Sequence, residues 1–256
     1  MPGSCSREKR FLLPKQDAKS AFHDRGSLME NGYFITGTST GVGKTLVSCA
    51  LLHAFAARDQ AVVGMKPVAA GCENGKWMDV ELLAAASSVT APRGQMNPYP
   101  LIPLVAPHIA AYQTGVEIDI VIIRDALLEL QKVADIVIVE GVGGFLVPLN
   151  AHEDGASMAQ ALDLPVILVV GMQLGCLNHA LLTAQAVRAA GLPLAGWVAN
   201  GIDPQMMAFD ENVLALTQRL YCPLLGVLPF EQNADAKKLS MLLDIEEIKP
   251  DKHCLT

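Results

Sequence analysis

Lys44 and Thr45 close the run GTSTGVGKT at residues 37–45, and an acidic residue ends the apolar run DIVIVE at Glu140. These are the ingredients of polyphosphate chemistry. In a G-x-x-x-x-G-K-[ST] loop, backbone N–H groups cradle the phosphates, the lysine lies against the β and γ phosphates, and the hydroxyl ligates Mg²⁺. The spacing here departs from that rule by one residue. Thr38 holds the place of the first glycine, and Gly37 is separated from Gly43 by five residues. A turn that bound nothing would need neither Lys44 nor Thr45.

A magnesium ion on phosphates takes one or two carboxylates as well. Glu140, at a predicted strand tip leading into GVGG, is one candidate. Asp79 is the other, although its place before VELLAAA suits a helix N-cap equally well. Lys66 closes the predicted strand AVVGMK and would reach the same crevice as Lys44. Two cations beside a γ-phosphate point to phosphoryl transfer, which is catalysed mainly by positioning and by charge neutralisation. No Ser-His-Asp or Cys-His arrangement competes with that reading.

The elements that must hold these groups are legible as alternation. Apolar runs at 32–36, 61–66, 135–140, 165–170, 194–200 and 223–228 read as strands. Helical patterns fill the gaps after Lys44, Asp79, Asp119, Leu177 and Asp210. Strand–helix repetition predicts a single-domain α/β fold of the P-loop NTPase type, a mostly parallel β-sheet with helices on both faces. Ligands on such sheets bind beyond the carboxyl ends of the strands. Gly191 and Pro193 predict a helix stop; Asp119 and Asp210 predict N-caps.

Composition bounds the function from outside. The chain has 256 residues, about half of them apolar, and a formal charge of −7, which disfavours gripping nucleic acid through its backbone. Its six cysteines are scattered without a C-x-x-C pair, as expected of reduced thiols in the cytoplasm. No apolar run is long enough to span a bilayer. Residues 1–28 carry three more basic than acidic residues and read as a flexible N-terminal extension, leaving 29–256 as the folded domain.

Taken in order, TGTSTGVGKT, KPVAAG, EGVGGFLVPL, GMQLGCLNHALLT and LLGVLPF closely resemble the dethiobiotin synthetase family, over residues 32 to 235. That family's loop has five residues between its glycines, which accounts for Thr38. The resemblance implies a Mg²⁺-dependent ligase that joins 7,8-diaminononanoate and CO₂ at the expense of ATP, through a carbamate and a carbamic–phosphoric anhydride. It implies Thr45, Asp79 and Glu140 as metal ligands, and Lys66 with Lys44 as catalytic lysines. Gly41, Val42, Gly43, Leu46 and the segment Gly141, Val142, Gly143 would line the phosphates. Asn200 and Gly201, with Pro229, Phe230 and Glu231, would form the adenine end. Thr40 and Ala70 would line the substrate site. Asn178, at a helix N-terminus, would receive the acid tail of a substrate held by the other subunit of a homodimer. His108 is the only histidine that the resemblance would place near that substrate, and an ordinary partly buried histidine is the favoured reading of it.

Three positions depart from the family pattern: Ser39 for a common Asp, Gly41 for a frequent Glu, and Ala70 for a substrate-binding Ser. The last removes one hydroxyl hydrogen bond, about 0.5–1.5 kcal/mol. A switch ATPase of the same fold is the rival reading, but its signature lysine would fall at Ser39. An amidotransferase-linked synthetase would require a glutaminase domain for which the chain has no length. NGID at 200–203 lacks the lysine of a guanine-binding N-K-x-D pattern.

Overall fold

The computed structural model describes residues 32–248; the extension expected over residues 1–28 lies outside them. The chain runs β1 (Gly32–Gly37), α1 (Lys44–Ala56), β2 (Val62–Met65), β3 (Val68–Ala70), α2 (Met78–Ala86), α3 (Arg93–Met96), β4 (Tyr99–Leu101), α4 (Pro107–Thr114) and α5 (Ile120–Leu130). It continues with β5 (Ile136–Glu140), α6 (Gly155–Leu162), β6 (Val166–Met172), α7 (Cys176–Ala189), β7 (Leu194–Gly201), α8 (Phe209–Thr217), β8 (Leu224–Leu228) and α9 (Ala236–Leu239), ending in two short 3₁₀ turns.

Six strands form one parallel sheet in the order β2-β5-β1-β6-β7-β8. All six match runs expected from sequence. Their continuous apolar character hides an alternation that the fold exposes. From β1, Phe34 enters one core with Val137, Val139, Leu168 and Trp197. Tyr33 and Ile35 enter the core on the opposite face, with Ile138, Val169 and the α1 residues Val47, Leu51 and Phe55. Neighbouring side chains of a strand point to opposite faces, so a sheet covered on both sides has no polar positions to reveal its period. Burying each large aliphatic side chain stabilises the fold by roughly 1.5–3 kcal/mol.

Several expectations need correction. Asp119 does cap α5, accepting from the Val121 N–H at 2.8 Å, but Asp210 does not cap α8. That place belongs to Ala208 in the left-handed region (φ 54°), and Asp210 lies in the first turn, where its charge complements the helix dipole. β2 ends at Met65, one residue before Lys66. The unanticipated β3 and β4 pair in parallel as a separate two-stranded sheet, with Ala70 beside Leu101. Helix α6 was also unanticipated, although Asp154 and Ser157 form a capping box that the sequence displays.

Candidate active site

The phosphate loop leaves β1 at the middle of the sheet and turns straight into α1. Gly43 is the N-cap of α1 with φ +87°, a conformation that favours glycine. A Cβ there would also lie 2.1 Å from Asn200 Nδ2. Position 43 is therefore closed to a side chain on both steric and torsional grounds. Asn200, at the carboxyl end of β7, uses that Nδ2 to donate to the Val42 carbonyl at 2.9 Å, while its buried Oδ1 has no partner among the described residues. Helix α1 begins with neither a side-chain cap nor an acidic first turn, so its leading N–H groups are available to an anion.

Lys44 is buried and donates to the Ser39 carbonyl across the loop at 2.9 Å. Burial, followed by the positive charge of Lys66, lowers its pKa to about 8, against the opposing pull of Glu140 and Asp79.

Beside it, four side chains converge. Glu140, inside β5 and 1% exposed, is no solvated strand end. Lys66, just beyond β2 and 3% exposed, is no surface lysine. Its ammonium lies 2.5 Å from Glu140 Oε1, 2.9 Å from Asp79 Oδ2 and 3.3 Å from the Gly141 carbonyl, so all three of its N–H donors have acceptors. Thr45 Oγ1 lies 2.9 Å from Glu140 Oε1 and 3.2 Å from Asp79 Oδ1. Asp79 is not an N-cap; Trp77 is, and Asp79 projects from the first turn of α2. Burial opposes both charges of the Lys66–Asp79 pair, but their partners outweigh it: the Lys66 pKa is raised by Glu140 and Asp79, and the Asp79 pKa is lowered by Lys66 and Thr45.

A hard divalent cation fits this donor set. Thr45, Asp79 and Glu140 offer only oxygen, and Glu140 Oε2 is a buried acceptor with no partner among the described residues. Among the described residues no group of three or more His, Cys, Asp or Glu is placed to hold a metal. Thr45, Asp79 and Glu140 would hold such an ion, which would supply positive charge against phosphate oxygens.

A cavity of about 710 Å³ opens onto these groups, bordered by Thr40, Gly41, Gly43, Lys44, Thr45, Lys66, Ala70, Asp79, Glu140, Val142 and Gly143 among the expected residues. Gly141 is buried and does not border it, and Leu46 follows Thr45 on α1. The residues expected at the adenine end are not among those that border this cavity. Asn200 registers with Leu228, and Gly201 lies against the backbone of Leu228, Pro229 and Phe230. Asn178 is exposed in the first turn of α7 and is not among the cavity's lining residues. His108 borders a different cavity of about 460 Å³, with Tyr112 and Asn150, and so does not line the Lys66 site.

Two contributors escaped the sequence reading. Buried Asn97 donates to the Lys66 carbonyl at 2.6 Å, and Lys66 N–H donates to the Met96 carbonyl at 2.8 Å, so the backbone carrying the lysine is pinned from both sides. The Asn97-Pro98 dipeptide signals a turn but not this bond. Trp77 also borders the cavity, and its indole N–H donates to the Leu101 carbonyl at 2.9 Å.

Sheet order and loop geometry together define a P-loop nucleoside-triphosphate-binding α/β protein. In keeping with this, a family profile described as "AAA domain" matches residues 31–238. The fold also resembles the cell division protein MinD of Aquifex aeolicus at a TM-score of 0.50 and 16% identity, over 78% of this chain and 82% of that one. Sequence is more specific than shape. The chain is 70% identical to the ATP-dependent dethiobiotin synthetase BioD of Nitrosospira multiformis over 220 residues, 86% of this chain and 97% of the relative. It is 54% identical to the enzyme of that name from Aromatoleum aromaticum over 82% of this chain and 96% of that one. The chain belongs to the dethiobiotin synthetase family.

Proposed function

We propose that the protein is the ATP-dependent ligase of biotin biosynthesis that closes the cyclic urea of dethiobiotin from 7,8-diaminononanoate and CO₂, releasing ADP and phosphate. The observation that carries this reading is Lys66, a buried ammonium held on Asp79 and Glu140 in the cavity that also receives Lys44 and Thr45. One amine of the substrate adds to the carbon of CO₂ and loses a proton, giving a carbamate. A carbamate oxygen attacks the γ-phosphorus of ATP, the bond to the ADP oxygen breaks, and a carbamic–phosphoric anhydride forms. The neighbouring amine attacks its carbonyl carbon, phosphate leaves with the bonding pair, and a second proton is lost.

In this scheme Lys44 and the N–H groups at the start of α1 hold the polyphosphate. Lys66 turns from the Gly141 carbonyl, its longest contact at 3.3 Å, toward the carbamate and γ-phosphate oxygens. Its charge is worth most where two anions must approach one another. Thr45, Asp79 and Glu140 would hold Mg²⁺, which supplies neutralisation of the phosphate oxygens. Thr40 and Ala70 line the diamine end. The buried acceptor Asn200 Oδ1 suits the adenine amino group, with Phe230 nearby.

The exposure of Asn178 at the start of α7 supports a homodimer in which this segment takes the carboxylate tail of the partner's substrate. The same reading takes residues 29–256 as one catalytic domain in the cytoplasm. Among the described residues no helix is long and apolar enough to cross a membrane.

The test is ADP release by the purified protein with ATP and Mg²⁺, with and without 7,8-diaminononanoate and bicarbonate, and with the product weighed by mass spectrometry. Diamine-dependent ADP matched by dethiobiotin is the expected result. ATP turnover that ignores the diamine would overturn the reading.

A further inference from the structure

The segment GCENGKW, residues 71–77, joins the small sheet to the helix that carries Asp79. Both of its ends rest on one atom. The Leu101 carbonyl accepts the Gly71 N–H at 3.1 Å and the Trp77 indole N–H at 2.9 Å, one for each lone pair. Between those ends, Glu73 and Lys76 exchange both backbone hydrogen bonds, at 2.9 and 3.0 Å. The turn they enclose is Asn74–Gly75, with φ of 52° and 77°. Two positive φ values in an Asn-Gly pair define a tight hairpin turn of the primed kind, which holds a single geometry. The segment is thus a closed loop, clasped where β4 ends.

The clasp leads directly into the helix that bears Asp79. Trp77 is the N-cap of α2, extended at φ −102° and ψ 104°, yet it supplies no side-chain cap to the helix. Its side chain bonds outward, to Leu101. The buried residues of α2, Val80, Leu83 and Ala86, hold the helix body, while the first turn has the Trp77 indole at its start and Arg93 on the Val80 carbonyl and Glu81 carboxylate, with no capping oxygen. Two residues on, Asp79 reaches both Thr45 and Lys66.

We propose that Trp77 is a positioning residue: its indole bond to the Leu101 carbonyl holds the first turn of α2 so that the Asp79 carboxylate meets the cation-binding oxygens. The inference rests on Asp79 being a metal ligand, as in the proposed function. Partners that orient ligating carboxylates affect metal affinity strongly while leaving the ligands themselves intact.

The experiment measures Mn²⁺ binding to the full-length protein in the presence of ATP by electron paramagnetic resonance, for the wild type, Trp77→Phe, Trp77→His, Asp79→Asn and the Trp77→Phe/Asp79→Asn double variant. Thermal midpoints are recorded for each. Phenylalanine keeps the ring body and loses the N–H; histidine keeps a ring N–H. The expected result is Mn²⁺ affinity about fivefold to tenfold weaker in Trp77→Phe, partly recovered in Trp77→His. The double variant should be no weaker than Asp79→Asn alone, because both changes act through one carboxylate. Wild-type Mn²⁺ affinity in Trp77→Phe, alongside weakened binding in Asp79→Asn, would overturn the role of Trp77 and leave that of Asp79 standing. Wild-type affinity in Asp79→Asn would overturn both. Equal losses in the Phe and His variants, tracking their thermal midpoints, would reduce Trp77 to packing.

Discussion

Lys44 stands on a frame of parallel ladders buried on both sides, whereas Lys66 stands at the junction of a four-residue strand and a three-residue one. The first frame is made by β1, the loop and α1, contiguous in the chain. The second is assembled from pieces: Met96 and Asn97 grip the Lys66 backbone, and Asp79 and Glu140 grip its ammonium. Their electrostatics diverge accordingly. Burial pushes the Lys44 pKa down to about 8, while at Lys66 the two carboxylates more than offset burial and hold the proton on. Among the described residues Lys44 forms no ion pair, donating instead to the Ser39 carbonyl, and it is suited to receive phosphate. The other lysine already has two carboxylates and is suited to hold a fixed position between reactants.

The strongest way to sharpen that contrast is Lys66→Ala. Turnover should fall by about 10³-fold or more while ATP affinity stays within a few-fold of wild type, since the loop and Lys44 remain. Parallel turnover and nucleotide-binding measurements check it, and wild-type turnover would break the contrast altogether. Gly43→Ala attacks the other frame. The added Cβ meets Asn200 Nδ2 in a strained backbone, so ATP binding should be lost by isothermal calorimetry, with stability lowered by about 1–3 kcal/mol in denaturant unfolding.

Asp79→Asn removes one carboxylate from the shared cluster. The Mg²⁺ concentration for half-maximal activity should rise about tenfold, and an unchanged titration would return Asp79 to a structural role. The smallest effect expected is one of pH. The Lys44 proton is lost more easily in the folded protein than in the unfolded chain, so this group makes stability rise with pH above about 8. Phosphate binding needs the ammonium, so ATP affinity should fall through the same range, by up to about tenfold per pH unit. Calorimetry from pH 7 to pH 9 reads that slope.

The same contrast explains what the sequence made legible. At the nucleotide end, a binding motif and its two flanking elements are one continuous stretch, so residue type and order sufficed to place Lys44, Thr45 and the sheet. Around Lys66, β3 and β4 are three residues each, and Pro100 sits inside β4, a residue that ordinarily argues against a strand. Asn97 and Trp77 act through bonds to backbone carbonyls brought near by that pairing, and no local pattern encodes such bonds. Asp79 was equally readable as a cap or as a ligand because both uses place a carboxylate at a helix start. Trp77 at the N-cap excludes the first use. His108 shows the converse: adjacency in sequence to the cavity-lining Pro107 did not carry its ring into the same cavity.

Under the proposed function, Asn200 bears on which purine the protein would accept. Because the Val42 carbonyl takes the amide's N–H end, the face left over is an acceptor. A base bearing an amino group at its 6-position would meet its complement there, whereas a 6-keto base would set oxygen against oxygen. Discrimination between adenine and guanine would then be settled by a loop carbonyl on the far side of the amide, at a point the base never touches. A shift in the loop that freed this amide to rotate would relax the choice of nucleotide without altering any residue around the base.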